Sequence, residues 1–296
     1  MTRFLVKCFL ITVLSGSFSI TESKGQLENS ILWEISVNGL EKPSYLFGII
    51  NFLPENKFVV SNQIIDLMNE CDLFITKIPN TRASRREFTK AARIVNNGWI
   101  NDYLTDDDLN KLRLLMLRDL EVTEHDYHFT YSRLQPVILV TASTLLYLGD
   151  NVVFVEDELV KAAKTQHLGF RSLSTIEEEI EAFRKFPIPD QVEALKHTVN
   201  NWDEHIESYN RLVGSYVDDV DLKIIHDEIF KATNRSEMFQ EAYYHARNKS
   251  WSGKIKDIVG IDGAFIAVGA AHFYGDKGLI QLLKAEGYSV NPIDTF

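Results

Sequence analysis

The sequence predicts an α+β protein, with a central mixed sheet built from both ends of the chain and a large helical middle. Residues 31–50 and 61–78 have the pattern of strand, strand, helix and strand, and residues 263–292 that of strand, helix and strand. From about residue 83 to residue 250, apolar side chains recur mainly at helical spacing. We therefore expect a single domain over residues 28–296, with residues 83–250 as a helical insert.

Composition limits the class of partner. The chain has 296 residues, 45% of them hydrophobic and 25% charged, which is enough apolar material for a globular core. Its formal net charge is -11, and no stretch of clustered lysine and arginine is present. Because the phosphate backbone of nucleic acids is bound through such clusters, we expect a small molecule or peptide as partner and no nucleic acid.

The first residues, MTRFLVKCFLITVLSGSFSI, have the pattern of a secretory signal peptide. Two basic residues precede an apolar stretch that ends in small residues. The alternative is a membrane anchor, but the apolar part, Cys8–Leu14, is far shorter than the roughly 20 residues that span a bilayer. We expect cleavage after about residue 20, no transmembrane segment in the processed chain and a location outside the cytoplasm, either periplasmic or secreted.

The amino-terminal stretch ILWEISVNGLEKPSYLFGII predicts two strands joined by a turn at Asn38-Gly39. Ser61–Glu70 then has the pattern of a short helix, and Asp72–Ile78 that of an apolar strand. Downstream, Pro136 near the start of VILVTASTLLYLG predicts the beginning of a buried helix.

The remaining elements follow from periodicity and from residues that favour helix starts. We expect helices at Asp157–Lys164, Pro189–Tyr209, Asp219–Ala232, Met238–Lys249 and Asp276–Glu286, a helix start at Ser174–Glu177, and strands at Phe170–Leu173, Gly263–Val268 and Tyr288–Pro292.

Two short motifs have the same form. LFGIIN places Gly48 three residues before Asn51, and VGAAH places Gly269 three residues before His272. Each follows an apolar run, so each predicts a polar side chain just beyond the end of a buried strand, where ligands commonly bind. A single glycine-x-x-histidine motif is weak evidence, but two copies at strand ends are more informative.

These motifs resemble those of the TraB/GumN family. SYLFGIINFLP is similar to the strand that ends in G-T-I-H, and AFIAVGAAHFYGDKGLIQLLKAEGYSV is similar to the carboxyl-terminal motif of that family. Leu134-Gln135-Pro136, residues 156–175 and Arg247-Asn248 also fit, so the resemblance covers nearly the whole chain after its first residues. It implies a duplicated α+β fold and a site at which two histidines, a glutamate and an arginine meet. The animal relatives, the Tiki proteins, are metal-dependent proteases.

The resemblance assigns some site residues and leaves others replaced. His272, its glycine Gly269 and Arg247 match the family pattern, and Gly48 matches the first motif glycine. Asn51 stands where the first histidine is expected. Two further replacements belong to this comparison. Lys77 stands about where the family glutamate is expected, and Ser174 of Leu173-Ser174-Thr175 stands where many relatives have the glutamate of L-E-T.

These replacements bear on metal binding. An amide oxygen is a weak uncharged ligand and a lysine ammonium is a cation with donors only. A like charge at roughly 4 Å costs about 4 kcal/mol at an effective dielectric of 20. We therefore expect a catalytically degenerate relative of metal-dependent proteases that keeps a ligand pocket and holds no cofactor.

Several alternatives stay open at the level of sequence. A slip in register would bring Glu70 or Asp72 to the place of the family glutamate. Lys77, Arg247 and His272 would form a basic pocket for a carboxylate or phosphate, or else Lys77 is a surface residue on an edge strand and His272 is a remnant of the fold.

Two other functions are considered. The first is an active metal-dependent hydrolase, a peptidase, that binds Mn²⁺ or Co²⁺ through His272, Asn51 and a carboxylate such as Glu156. The second is a protein-interaction role for the acidic helical middle, which needs an exposed apolar groove there.

Other polar clusters have simpler explanations. His125 and His128 lack an evident third ligand and fit a solvated helix face or loop. Asp106–Asp108 and Glu177–Glu179 lie at predicted helix starts, where negative charge is stabilising, and need no catalytic role. After cleavage Cys71 is the one cysteine, so no intramolecular disulfide forms.

Overall fold

A computed structural model describes residues 29–36, 42–231, 236–259 and 263–294. The expected signal peptide and the Asn38-Gly39 turn lie outside these residues, as does the expected helix end at Ala232. Within the described part of the chain, one sheet has six strands and a second has two. The strands are β1 (Leu32–Ser36), β2 (Ser44–Ile49), β3 (Phe52–Pro54), β4 (Leu73–Thr76), β5 (Val152–Phe154), β6 (Gly169–Ser172), β7 (Ala264–Gly269) and β8 (Ser289–Ile293).

The larger sheet is mixed, with strand order β6-β4-β7-β2-β1-β8. Strands β6, β4, β7 and β2 are parallel, while β1 runs antiparallel to both β2 and β8. Both ends of the chain contribute strands, and the protein is α+β as the sequence predicts. The side chains of β2 and β7 are almost entirely buried, which suits continuous apolar runs in the interior of a parallel sheet.

The sheet also includes a strand from the helical middle. Strand β6 lies within residues 83–250 and forms one edge of the sheet beside β4. The second sheet pairs β3 with β5, directly after the first glycine motif. Its two strands have three residues each, which is too short for a clear periodic pattern in the sequence.

Helices make up most of the remaining described chain. They are α1 (Asn62–Asn69), α2 (Arg82–Ala91), α3 (Asp106–Arg113), α4 (Glu124–Phe129), α5 (Pro136–Leu148), α6 (Val155–Thr165), α7 (Ile176–Phe183), α8 (Ile188–Asn200), α9 (Trp202–Val217), α10 (Leu222–Phe230), α11 (Glu237–Gln240), α12 (Ala246–Val259) and α13 (Leu279–Ala285). Two π-helical segments, Leu114–Asp119 and Glu241–His245, follow α3 and α11.

Local sequence explains several helix starts. The Thr105 hydroxyl accepts a hydrogen bond from the Asp108 amide, and Asp106–Asp108 lie in the first turn of α3, as the capping interpretation predicts. Helix α5 begins at Pro136 and is buried over ten consecutive residues. Thr175 and Glu178 form a reciprocal capping box at the start of α7.

The expectation of one helix over Pro189–Tyr209 is wrong, because the structure divides this segment into α8 and α9. At the break, Asn201 has φ -130° and ψ 48°. The side-chain amides of Asn200 and Asn201 each donate to a backbone carbonyl four residues earlier. Such local bonds compete with the helical pattern and favour its end.

None of the described helices combines the length and the apolar content that crossing a lipid bilayer requires.

Candidate functional site

The carboxyl ends of the parallel strands bring four motif positions to one edge of the sheet. Lys77 directly follows β4, while Asn51, Ser174 and His272 lie two or three residues beyond the ends of β2, β6 and β7. The Ser174 amide donates to the Lys77 carbonyl at 2.8 Å, which holds the ends of β4 and β6 together. This edge is where ligands bind in sheets of parallel strands.

Lys77 and the two alternative acids lie at opposite ends of β4. Glu70 and Asp72 precede β4 and so lie at its opposite end, where they interact with Tyr45 and Lys42. Strand β4 lies between β6 and β7, and the Lys77 side chain is only 14% exposed. The interpretation of Lys77 as a surface residue on an edge strand is therefore wrong, and Glu70 and Asp72 lie away from the edge that carries Asn51 and His272.

Glu179 is a buried carboxylate at this edge that was not among the expected site residues. This side chain on α7 is 1% exposed and accepts a hydrogen bond from the Tyr243 hydroxyl at 2.7 Å and another from Arg247. The Lys77 ammonium lies 4.0 Å from the same carboxylate. Glu179 lies in the first turn of α7 as expected, but the sequence motifs did not indicate that its carboxylate is buried and paired.

A signal for Glu179 does exist in the sequence. Ile176, Glu179, Ala182 and Phe183 follow helical spacing, and all four are buried in the structure. A lone carboxylate on an apolar helix face needs a partner, because an unpaired buried charge is strongly unfavourable.

The partner of Glu179 is held by two aromatic rings. The Arg247 guanidinium lies 4.6 Å from the centre of the Tyr243 ring and 4.4 Å from that of Trp251. Tyr243 belongs to the π-helical segment, a local widening that is common at functional sites. Burial, and then the charge of Glu179, raises the pKa of Tyr243 well above its usual value, so its hydroxyl stays protonated and donates.

His272 is buried behind this network with a defined tautomer. The Asn248 side-chain amide donates to the backbone carbonyls of His272 and Lys277, so its oxygen faces the His272 ring at 2.6 Å from Nδ1. Nδ1 therefore carries the proton and Nε2 does not. Burial, followed by the charges of Arg247 and Lys77, lowers the pKa of His272 well below its usual value. The ring is neutral at physiological pH.

Ser174 has a structural contact at this edge. Its hydroxyl accepts a hydrogen bond at 2.7 Å from the indole of Trp251, the same residue whose ring packs against Arg247. Ser174 thus helps to hold the Trp251 ring in position beside Arg247.

A cleft of about 80 Å³ opens beside the network. Its walls combine apolar, cationic and acidic side chains. The described residues that line it are Asn51, Lys77, Ile78, Pro79, Asn80, Ser84, Arg85, Phe88, Phe154, Glu156, Asp157 and Glu179, while Arg247 and His272 lie outside this lining.

The charges of the cleft do not form the expected basic pocket. Three carboxylates line it, Glu156, Asp157 and Glu179, against the cations Lys77 and Arg85. Both Lys77 and Arg247 already lie against Glu179. The hypothesis of a basic anion-binding pocket is therefore wrong.

Glu156 differs from the other two carboxylates. Burial, and then the charges of Asp157 and Glu179, raises its pKa, while Lys77 opposes the shift. Within the described part of the chain, its carboxyl group has no hydrogen bond and no ion pair within 4 Å. It is thus available to a ligand in the cleft.

Metal-ligating side chains do not converge in the described part of the chain. Over the described residues, no three side chains of histidine, cysteine, aspartate or glutamate come together as a metal site would require, and this includes His125 and His128. The two oxygens of Glu179 accept from Tyr243 and Arg247. Asn51 offers only a neutral amide at this edge, and Lys77 adds positive charge.

The fold and this edge define the class of protein: a mixed α+β sheet in which two related strand-end motifs lie side by side. Gly48 of β2 pairs with Val268 of β7, so the two motifs end on adjacent parallel strands. Residues 31–292 match the TraB/PrgY/gumN family, and the chain belongs to this family. No curated protein and no solved structure matches the chain.

Proposed function

We propose that this protein is an extracytoplasmic member of its family that binds a ligand in the cleft and has lost metal-dependent hydrolysis. One observation carries the proposal: Glu179 is paired with Arg247 and lies close to Lys77, so the buried acid of the site is neutralised by protein cations. A carboxylate engaged in this way is a poor ligand for a divalent ion.

Electrostatics at the replaced positions supports the same conclusion. A divalent ion near His272 would face Arg247 and Lys77, the two cations whose charges act most strongly on that ring. Two like charges about 4 Å apart cost about 4 kcal/mol even at an effective dielectric of 20. Asn51, in the place of the first histidine, offers only an uncharged oxygen in return.

The proposed location is supported by the first residues of the chain. Basic residues, an apolar stretch and small residues follow one another within residues 1–20, in the order typical of an exported protein.

A second candidate function is a metal-dependent peptidase with a rebuilt ligand set. It is favoured by the presence of Asn51 and Glu156 in one cleft and by the unprotonated Nε2 of His272. Mn²⁺ or Co²⁺ would then be held by these three side chains.

Calorimetric titration with Mn²⁺, Co²⁺ and Zn²⁺ separates the two candidates. We expect no binding to the wild-type protein and binding of one equivalent to the double variant Asn51→His/Lys77→Glu, which restores a histidine and adds a carboxylate beside Glu179. Asn51→His/Lys249→Glu is the matched control, because Lys249 is exposed and the change in net charge is the same.

The wild-type titration decides the outcome. One equivalent of metal bound by the wild type and abolished in His272→Ala would show that the peptidase candidate is correct. Circular dichroism and thermal melting of each variant establish that a loss of binding is not a loss of fold.

A further inference from the structure

Two polar groups in the cleft lack protein partners. The Asn51 side-chain nitrogen is buried and has no acceptor among the described residues. The Glu156 carboxyl group has no hydrogen bond there either. An unpartnered buried donor costs about 1–3 kcal/mol, so a ligand that supplies its acceptor recovers that free energy.

The backbone places these two groups side by side. The Val155 amide donates to the Asn51 carbonyl at 3.2 Å, and Phe52 pairs with Phe154 in the ladder between β3 and β5. Asn51 immediately precedes Phe52 of this ladder, and Glu156 immediately follows Val155, whose amide bonds the Asn51 carbonyl. A donor and a carboxyl group therefore enter the cleft from neighbouring positions.

The charge balance of the cleft favours a neutral ligand. Asp157 lies 4.0 Å from Arg85, and Glu179 pairs with Arg247, which lies just outside the lining. Lys77 lies 4.0 Å from Glu179 and also attracts Glu156. Three carboxylates thus match three cations. An additional net charge in this partly buried space would lack a counterion, which is unfavourable.

A hydroxyl group matches the unpartnered pair. It donates a hydrogen bond to the Glu156 carboxyl group and accepts one from the Asn51 side-chain amide at the same time. Around it, Asn80 and Arg85 offer further donors, while Pro79 and Phe154 offer an apolar wall for carbon-bound hydrogens. The cleft of about 80 Å³ is too small for a whole sugar ring, so it takes one hydroxyl-bearing edge of a sugar while the rest of the ring stays at the open mouth.

We propose that this cleft binds a neutral polyhydroxylated ligand, a single sugar unit, through hydrogen bonds from Asn51 and to Glu156. The inference rests on the proposed function in one respect, which is that no metal ion occupies the cleft. A metal ion there would engage Glu156 and displace the hydroxyl group.

Saturation-transfer NMR in the presence of EDTA tests the proposal with named probes. Glucose, galactose and mannose are the neutral sugars, glucuronate and glucosamine carry one charge of either sign, and acetamide supplies a donor and an acceptor without hydroxyl groups. We expect saturation transfer to at least one neutral sugar, and weaker transfer to its charged relatives and to acetamide.

Two variants connect the binding to the two side chains. Glu156→Gln and Asn51→Leu are each expected to weaken sugar binding by roughly fivefold or more. Asn51→Leu removes one hydrogen bond to the ligand, and Glu156→Gln replaces a charged acceptor by a weaker neutral amide oxygen. Glu158→Gln is the matched control, since Glu158 lies on the same helix α6 and pairs with Lys161 outside the cleft. It should leave the affinity unchanged.

The possible failures are distinguishable. No transfer to any neutral sugar, transfer to acetamide in their place, or equal affinity in wild type and Glu156→Gln would each overturn this inference while the metal titration stands. Metal binding by the wild type would overturn the proposed function. The Asn51 side-chain NH₂ resonance should shift on sugar addition, which reports the contact without relying on a variant.

Discussion

At the scale of single residues, Glu179 is the centre of the site. Its buried carboxylate is shared by Arg247, Tyr243 and Lys77, and the guanidinium of Arg247 is held between aromatic rings. A buried ion pair of this kind adds little net stability over an apolar pair, but removing one partner is expensive. The network therefore fixes the positions of its members more than it stabilises the fold.

Substitution of Glu179 tests this view. Glu179→Gln leaves the Arg247 guanidinium buried beside a neutral amide, and we expect the free energy of unfolding to fall by about 3–5 kcal/mol. Urea denaturation followed by circular dichroism measures the change. Glu177→Gln on the exposed side of the same helix is the control, with an expected change within about 0.5 kcal/mol. Equal stabilities of the two variants would contradict the role of Glu179.

The sequence could predict part of this site. It indicated that Asn51, Lys77 and His272 follow buried strands, because an apolar run followed by a polar residue is a local pattern. It could not indicate that Arg247 pairs with Glu179, because that contact joins two helices distant in sequence. The charge environment of Lys77 was equally hidden, because the carboxylate beside it, Glu179, lies about a hundred residues further along the chain.

At the scale of elements, the two glycine motifs are no longer equivalent. After β7 the chain forms a short 3₁₀ turn, Ala270–His272, which buries the histidine. After β2 it continues past Asn51 into β3. The two strand ends thus continue differently, and only the second places an imidazole in the core.

The two motif glycines predict different tolerance to alanine. A Cβ atom at Gly48 would lie 2.8 Å from the Phe273 ring and 3.1 Å from the Ala270 Cβ, whereas one at Gly269 would meet only His272, at 3.4 Å. We expect Gly48→Ala to destabilise the protein by about 1–3 kcal/mol through overpacking. Gly269→Ala should cost less than about 1 kcal/mol. Thermal and urea unfolding of both variants measures the two losses of stability. Equal losses would contradict this prediction.

Elements with long apolar or periodic patterns could be predicted from the sequence. β7 and α5 are examples, since each is a buried run with a clear boundary residue or a clear length. The helix break at Asn201 and the ladder between β3 and β5 could not, because they depend on side-chain bonds to the backbone and on pairing between distant segments.

At the scale of the whole molecule, parallel pairing explains how residues far apart in the chain meet. Asn51 and His272 follow adjacent strands, and Lys77 follows the next strand along the sheet. Strands from both chain ends were predictable, but their order was not, because the sequence does not show which neighbours pair. The sequence predicted β6 as a strand but not its position in the sheet, where it forms the edge beside β4.

The stability of the whole fold should depend on pH through His205. This residue is 1% exposed, its Nε2 lies 2.8 Å from the Thr144 hydroxyl, and its Nδ1 has no partner among the described residues. Because the Thr144 hydroxyl lies within hydrogen-bond distance of the Val140 carbonyl, it donates there and accepts from Nε2. Burial, and then the charge of His197, lowers the pKa of His205 to about 4.

The direction of the effect follows from this pKa. Between about pH 6.5 and pH 4 the unfolded chain binds a proton at His205 and the folded chain does not, so stability falls as the pH falls through this window. The contribution of His205 between pH 7.5 and pH 4.5 is about 2–3 kcal/mol. Glu156, whose pKa burial raises, acts in the opposite direction and favours the folded state in acid.

Urea denaturation at pH 7.5 and pH 4.5 isolates the histidine. In His205→Gln the group can no longer take up a proton, so this variant should lose about 2–3 kcal/mol less stability than the wild type over the same interval. His125→Gln controls for the removal of one histidine, because the His125 side chain is 78% exposed. Identical pH dependence in wild type and His205→Gln would mean that the buried ring is protonated in the folded protein, and that the acid sensitivity of the molecule arises from its carboxylates.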